Sequence, residues 1–270
     1  MMVIDEPDSY ELENEEDLGI GIYEPGKNLE GEMDWSHFSR VLIIFGAGWV
    51  MMFLIEIVLM IPVLAIGGID AVFLDPWALI FLSTAEIGFI IPMIKYLDNR
   101  GLTLKSVGIK NMSSMKNILW GLIFGALLFG ANIIISYFMV LLFPDLATGE
   151  ESLFILPQQN LIPLWAILWT VVMFMIVGFS EELIFRGFLQ RRMEMFYKER
   201  GSKHYKMIAL VLTSFIFGVI HLDIVGLATR FVLGLFLGYL AQRSNYSIIG
   251  PSIAHGINNS IVILLVLLPV

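Results

Sequence analysis

Two adjacent glutamates followed by an arginine stand inside a long apolar stretch of the sequence. Glu182 and Arg186 are four residues apart, so on a helix they share a face and can form an ion pair. Glu181 points roughly 100° away from Glu182 around the same helix and stays outside that pair. Ionisable side chains inside apolar spans are costly, so their presence indicates a function. We therefore expect one carboxylate to be structural and the other to be chemical.

Two later apolar stretches carry imidazoles and carboxamides. One stretch ends with the pattern Phe-x-x-x-His, from Phe217 to His221, and the other contains His-x-x-x-Asn, from His255 to Asn259. His255 and Asn259 are four residues apart, so one helical face presents an imidazole and a carboxamide to the same volume. Asn258 faces elsewhere. The sequence thus predicts a polar site made of side chains from three apolar helices.

The residue types in this predicted site favour hydrolysis. A carboxylate beside an imidazole can hold a water molecule and take its proton, and imidazole and carboxamide donors can stabilise a developing oxyanion. The chain has no cysteine, and no serine stands near a base at a recognisable spacing, so water is favoured as the nucleophile. A second interpretation stays open, in which Glu181, His221 and His255 bind a Zn²⁺ ion that activates the same water.

The elements that must position these residues are long apolar helices. Hydrophobic residues make up 57% of the chain and charged residues 15%, against roughly 25% charged in ordinary soluble domains. Runs of about 18 or more apolar residues can cross the hydrocarbon core of a bilayer. We therefore predict an all-α fold, a polytopic transmembrane helix bundle of about seven spans, with eight as the alternative count. The predicted spans are 41–66, 76–94, 118–143, 162–189, 207–221, 224–241 and 248–268.

The charges between the predicted spans alternate in sign, which predicts the orientation of the chain. Lys and Arg collect on the cytoplasmic side of membrane proteins. Basic residues stand in loops 95–117, 190–206 and 242–247, whereas the charged residues in 67–75, 144–161 and 222–223 are acidic. This alternation predicts a cytoplasmic N-terminus and a C-terminus on the opposite side.

The net charge of −9 belongs mainly to the first part of the chain. Residues 1–34 hold 12 of the 25 acidic residues and only one of the 16 basic ones, Lys27. Such a segment has too little apolar surface to offset chain entropy. We expect residues 1–40 to form an acidic, disordered cytoplasmic tail, 41–160 to form N-terminal transmembrane helices, and 161–270 to form a catalytic core. The acidic charge argues against nucleic-acid binding.

The three polar motifs, in this order and each on its own apolar helix, resemble those of the CPBP (ABI) family of intramembrane proteases. That family includes the endopeptidase that trims CAAX proteins after prenylation, and bacterial relatives linked to bacteriocin processing and immunity. The motifs are Glu-Glu-x-x-x-Arg at 181–186, Phe-x-x-x-His at 217–221 and His-x-x-x-Asn at 255–259. The resemblance covers roughly residues 160–265, and the earlier spans agree only in being hydrophobic.

The resemblance implies a role for each matching residue. Glu181 would be the base that activates water, and His221 would help to hold that water. His255 and Asn259 would form the oxyanion site, while Glu182 and Arg186 would brace the helix. Members of the family are often classed as metalloproteases, although a metal-free glutamate mechanism is also argued for them, so Zn²⁺ is an open expectation. They are commonly described with eight spans.

The expected function is therefore that of an intramembrane endopeptidase in a multi-pass protein of the cell membrane. Its partners would be the lipid bilayer and a protein or peptide substrate, either lipidated or embedded in the membrane. Two other classes remain. A non-catalytic scaffold or bacteriocin-immunity protein would keep the fold without the chemistry, and an ion-coupled transporter would use Glu56, Glu86 and Glu181 as a proton relay. We find no internal repeat of the kind many transporters carry.

Overall fold

The computed structural model describes residues 23–24, 27–28, 32–109, 115–143, 158–224 and 226–266. Its described parts are helical apart from a short antiparallel pair, β1 (Tyr23–Glu24) and β2 (Lys27–Asn28). The prediction of a disordered tail falls mostly on residues 1–22, 25–26 and 29–31, which lie outside the described residues. The all-α class predicted from the sequence is confirmed for the described spans.

The first helix, α1 (Trp35–Leu74), is 40 residues long. Asp34 caps it, because its carboxylate accepts a hydrogen bond from the backbone N–H of His37 at 2.7 Å. The helix therefore begins inside the range that the sequence assigned to the tail. Near its other end the chain kinks at Gly68, whose φ of 72° is readily adopted only without a side chain.

A second apolar segment returns alongside α1. It consists of α2 (Pro76–Ser83), a 3₁₀ turn (Thr84–Glu86) and α3 (Ile87–Asn99). Asp75 caps α2 by accepting hydrogen bonds from the backbone N–H groups of Trp77 and Ala78, at 2.8 and 3.2 Å. A further 3₁₀ turn (Leu104–Val107) follows, and α4 spans Met115–Leu142.

The glutamate motif lies on one long, irregular helical segment. A 3₁₀ turn (Gln159–Leu161) leads into α5 (Ile162–Val172), a π-helical stretch (Met173–Gly178) and the short α6 (Phe179–Glu182). A second π-helical stretch (Leu183–Gln190) then leads into α7 (Arg191–Glu199). π turns are rare and occur often at functional sites. Their position on both sides of the glutamates therefore makes this segment a candidate for the functional site.

Three helices complete the described fold, namely α8 (Tyr205–Val219), α9 (Leu227–Arg243) and α10 (Ile249–Val266). Helix α10 packs closely on α4 through two glycines of α4. A Cβ added at Gly121 would lie 2.8 Å from the carbonyl oxygen of Gly250, and one at Gly125 would lie 2.9 Å from Ile257. The Gly-x-x-x-Gly pattern of α4 thus allows these two helices to approach one another.

The apolar core is centred on the motif segment. Phe185 contacts Phe45 of α1, Phe89 of α3 and Phe217 of α8, with ring centroids 5.2, 5.8 and 4.9 Å away respectively. All four rings are buried. Aromatic packing therefore joins α1, α3 and α8 to the helix that carries the glutamates.

Four helical segments of the described chain are long and apolar enough to cross a membrane, and Tyr205–Val219 is a shorter apolar helix. Large apolar side chains on α1 are exposed, as lipid-facing residues must be; Ile66, for example, is 90% exposed. The structure therefore supports a membrane protein, while the count of seven spans and the cytoplasmic N-terminus stay predictions. The four segments are Trp35–Leu74, Pro76–Asn99, Met115–Met139 and Gln159–Glu199.

Candidate active site

Two glutamates with different surroundings stand on α6. Glu182 is fully buried, and its Oε2 lies 3.1 Å from Nε of Arg186, one turn further along the segment. Glu181 is 6% exposed, and its Oε2 has no hydrogen-bond partner among the described residues. The structure thus separates one carboxylate that is held in an ion pair from one that is available to other groups.

Arg186 completes the ion pair from inside the core. Its guanidinium carbon lies 4.8 Å from the ring centroid of Phe217 and 5.5 Å from that of Phe185. The angle of its 3.1 Å contact with Glu182 is that of an ion pair and not of a well-aligned hydrogen bond. The aromatic faces add cation–π attraction to the opposite charge of Glu182. Arg186 and Glu182 therefore form a buried ion pair beneath the site.

His221 lies just beyond the end of α8, where the chain leaves the helix. Its Nδ1 donates a hydrogen bond of 2.6 Å to the carbonyl oxygen of Phe217. This bond fixes the ring so that Nε2 faces Glu181, 3.8 Å from its Oε1. The side chain is 26% exposed, more than any other ionisable group of the site. Among the ionisable side chains of the site, His221 is therefore the one nearest to the surface of the described structure.

His255 of α10 lies between the two glutamates. Its Nδ1 is 3.0 Å from Oε1 of Glu182, and its Nε2 is 3.5 Å from Oε2 of Glu181. The side chain is 2% exposed, and its ring packs edge-on against Phe217 with centroids 5.8 Å apart. The contact with Glu182 orients the ring, so that Nε2 is directed at the remaining carboxylate.

The two asparagines of α10 are linked to an asparagine of α4. Asn258, on a different face from His255, accepts a 2.6 Å hydrogen bond at Oδ1 from Nδ2 of Asn132. Its own Nδ2 donates to Oδ1 of Asn259 at 3.3 Å. Sequence analysis did not single out Asn132, although a carboxamide within a long apolar run was a signal that could have found it. The predicted oxyanion residue Asn259 is thus connected to a helix outside the three motifs.

Glu56 and Glu86, which the sequence places in separate spans, meet at one cavity of about 320 Å³. Oε2 of Glu86 is buried without a hydrogen-bond partner among the described residues. Glu86 lies near enough to Glu56 and to Glu181 for negative charges at these positions to repel one another. Spacing along the sequence gave no sign of this proximity. The remaining lining residues are Met52, Met60, Val72, Phe73, Leu79, Leu82, Ser83 and Ala85.

The donor types at Glu181, His221 and His255 suit zinc, since a carboxylate and two imidazoles form a common catalytic set. Both imidazoles also have an outer partner at Nδ1, as zinc-binding histidines do. The positions of these side chains do not suit zinc as their types do. Within the described part of the chain, no group of three His, Asp or Glu side chains is placed to hold a metal ion. We therefore derive no catalytic step through a metal.

The fold and the site together define a helical membrane protein with a buried glutamate–histidine centre. Residues 163–261 match the family model of the type II CAAX prenyl endopeptidase Rce1-like proteins. The resemblance inferred from the three motifs is thereby confirmed over this range, which contains all seven named motif residues. Because the matched family is a protease family, the match supports an endopeptidase at the family level. No curated protein and no solved structure matches the chain.

Proposed function

We propose that this protein is an intramembrane endopeptidase in which Glu181 activates a water molecule to hydrolyse a peptide bond close to the membrane. The observation that carries the proposal is the convergence of two oriented imidazoles on one carboxylate. Nε2 of His221 lies 3.8 Å from Glu181, and Nε2 of His255 lies 3.5 Å from it, while each Nδ1 contacts another acceptor. These separations exceed a direct hydrogen bond and suit groups that act on a bound molecule between them.

The orientation of His221 defines how water would be held. Because Nδ1 carries the proton donated to Phe217, Nε2 of the neutral ring is an acceptor. One water can then donate one hydrogen bond to this nitrogen and one to Oε1 of Glu181. Glu181 takes a proton as the water oxygen forms its bond to the substrate carbonyl carbon, and the carbonyl oxygen becomes an oxyanion. The proton then passes from Glu181 to the leaving amine nitrogen as the carbon–nitrogen bond breaks.

Hydrogen-bond donors would stabilise the oxyanion. The side-chain amide of Asn259 stands one helical turn from His255, on the same face of α10. Nδ1 of His255 contacts Glu182, and this contact directs Nε2 towards the site. Donors fixed before the reaction stabilise developing charge without reorganising. Glu182 and Arg186 would act through His255 by holding its ring in place.

The substrate would be a lipidated peptide or a loosely helical membrane segment, because the site stands on apolar helical segments, one of which is long and apolar enough to cross a membrane. We place the protein in the cell membrane as a multi-pass protein whose partners are the bilayer and this protein or peptide substrate. The type II CAAX prenyl endopeptidase model concerns prenylated substrates. Whether this chain requires a prenyl group is decided by comparing paired peptides.

Proteolysis by purified protein in lipid nanodiscs tests the proposal. Fluorogenic peptides are supplied with and without a prenyl group, to wild type, Glu181→Gln and His221→Ala. We expect cleavage to be lost in both variants and to be insensitive to chelators. The matched controls are Glu32→Gln and His204→Ala, the same changes at exposed positions. Activity that survives Glu181→Gln would contradict the site, and chelator-sensitive cleavage restored by Zn²⁺ would replace the metal-free mechanism.

The cavity shared by Glu56 and Glu86 favours a second candidate function, an ion-coupled transporter. Two ionisable groups within spans, interacting with each other and with Glu181, are the components of a proton relay. His221, His255 and Asn259 do not line this cavity. A transporter predicts proton movement in liposomes that Glu56→Gln and Glu86→Gln abolish. An endopeptidase predicts no such movement and cleavage that persists in both variants.

A further inference from the structure

We propose that Asn132 of α4 is a positioning residue, which sets the orientation of the Asn259 carboxamide by way of Asn258. The inference deepens the proposed endopeptidase function and rests on it, since it concerns the donor side of the predicted oxyanion site. Asn132 lies outside the stretch that matches the family model, which begins at residue 163. Neither the three motifs nor the comparisons assign it a role.

Two hydrogen bonds link the three asparagines in series, and in each bond the amide nitrogen of one asparagine donates to the amide oxygen of the next. Nδ2 of Asn132 donates to Oδ1 of Asn258 at 2.6 Å, and Nδ2 of Asn258 donates to Oδ1 of Asn259 at 3.3 Å. Asn258 is only 5% exposed, so solvent offers little competition for its polar atoms. Asn258 thus uses its oxygen towards Asn132 and its nitrogen towards Asn259.

This direction decides which atoms Asn259 presents to the site. A carboxamide has an acceptor oxygen on one side and two N–H donors on the other. Because Oδ1 of Asn259 is used by Asn258, the N–H donors are the atoms left for a bound molecule. An oxyanion requires donors, whereas an exposed amide oxygen would repel it. A donor at position 132 therefore selects the orientation of Asn259 that catalysis needs.

Close packing of two helices holds the chain of amides in register. Gly121 and Gly125 of α4 lie against α10, and Asn132 lies 11 residues beyond Gly121. Eleven residues are close to three helical turns, so Asn132 faces the same side as Gly121. The glycines thus bring the α4 backbone near enough for the short Asn132 side chain to reach Asn258.

Two isosteric substitutions distinguish positioning from simple structural support. Asn132→Leu removes the donor, whereas Asn132→Asp, assayed at a pH at which the new carboxylate is ionised, offers only acceptors and draws Nδ2 of Asn258 towards itself. Oδ1 of Asn258 then faces Asn259, whose amide turns over and presents its oxygen to the site. We expect kcat to fall about 10-fold for Asn132→Leu and about 100-fold for Asn132→Asp, with KM within about 2-fold of wild type. Asn99→Leu, at an exposed helix end, is the control.

The order of the two variants is the critical result. A merely structural role predicts the opposite order, since Asn132→Asp keeps a hydrogen bond to Asn258 and Asn132→Leu keeps none. An aspartate variant at least as active as the leucine variant would overturn the proposal. If Asn132→Asp does not fold, a cycle of Asn132→Leu, Asn258→Leu and both together replaces it. We expect the double variant to lose no more kcat than the worse single variant, and independent, multiplying losses would overturn the proposal.

A spectroscopic measurement separates this inference from the proposed function. The side-chain amide signal of Asn259 is recorded by NMR on ¹⁵N-asparagine-labelled protein in nanodiscs and assigned by its loss in Asn259→Asp. We expect Asn132→Leu to shift that signal and Asn99→Leu to leave it in place. An unshifted signal would overturn the positioning role even where cleavage is observed. Wild-type protein that cleaves no peptide would instead overturn the endopeptidase, while the shift alone would still show the contact.

Discussion

Two carboxylates on apolar helical segments, the buried Glu181 and the half-buried Glu86, have very different neighbours in this protein. Glu181 stands between two imidazoles that are oriented by Phe217 and Glu182. Glu86 faces a cavity whose other lining residues are apolar apart from Glu56 and Ser83, and the Ser83 hydroxyl donates to the Leu79 carbonyl. We refer to the first as the imidazole site and to the second as the acidic cavity.

The two regions share a carboxylate on an apolar helical segment and differ in the side chains that surround it. Both regions place a glutamate in a weakly solvated environment, which makes its proton affinity sensitive to its surroundings. Of the two regions, the imidazole site adds two imidazoles that are oriented through Nδ1, beside a buried ion pair formed by Glu182 and Arg186. The proposed chemistry at Glu181 therefore depends on side chains that several helical segments bring together.

The largest expected effect is on the rate of peptide cleavage, when the carboxylate of Glu181 is exchanged for an amide. The same exchange at Glu86 is the comparison. Glu181→Gln removes the proposed base, and general base catalysis contributes about 10²- to 10⁴-fold to a rate. We expect kcat for peptide cleavage to fall by about that factor. Glu86→Gln changes only a neighbouring charge, so we expect less than about a tenfold change, or ~1.4 kcal/mol. Initial rates in nanodiscs measure both variants.

A result that reverses these two effects would reassign the functions of the two regions. Equal folding of both variants is verified by their thermal unfolding temperatures before rates are compared. Loss of cleavage in Glu86→Gln, with activity retained in Glu181→Gln, would place the reaction at the acidic cavity.

The sequence predicted the contacts that lie within one helix. The four-residue spacings place Arg186 beside Glu182, and His255 on the same face as Asn259, because helical geometry alone relates these positions. The order of three polar motifs on apolar stretches also predicted that they belong together. These inferences needed no knowledge of how helices pack.

Contacts between distant segments were not predictable in this way. The hydrogen bond from Asn132 to Asn258 joins residues 126 positions apart, and the proximity of Glu86 to Glu181 depends on how the 3₁₀ turn Thr84–Glu86 packs against the motif segment. Spacing contains no information on such packing. The π-helical stretches beside the glutamates were missed for a related reason, since no residue pattern in 173–190 distinguishes a π turn from an α turn.

A second prediction concerns the stability of the fold, to which the ion pair of Glu182 with Arg186 contributes in the imidazole site. Arg186→Leu leaves Glu182 buried without its guanidinium partner, and breaking a buried ion pair in this way costs about 3–5 kcal/mol. We expect a large fall in the thermal unfolding temperature, measured in nanodiscs. Replacing both partners, as Glu182→Leu with Arg186→Leu, removes the unpaired charge and should restore part of the loss. A double variant less stable than Arg186→Leu alone would show that the pair does not explain the cost.

The smallest expected effect tests the acidic cavity. Oε2 of Glu86 has no hydrogen-bond partner among the described residues, and a buried acceptor without a partner is destabilising. Glu86→Leu keeps a similar volume and removes that acceptor, so we expect a gain of about 1 kcal/mol in unfolding free energy. Glu32→Leu, at an exposed position, should leave stability unchanged. A fall in the unfolding temperature of Glu86→Leu would mean that a bound ion or water stabilises Glu86, and the acidic cavity would then resemble a functional site more closely than its lining suggests.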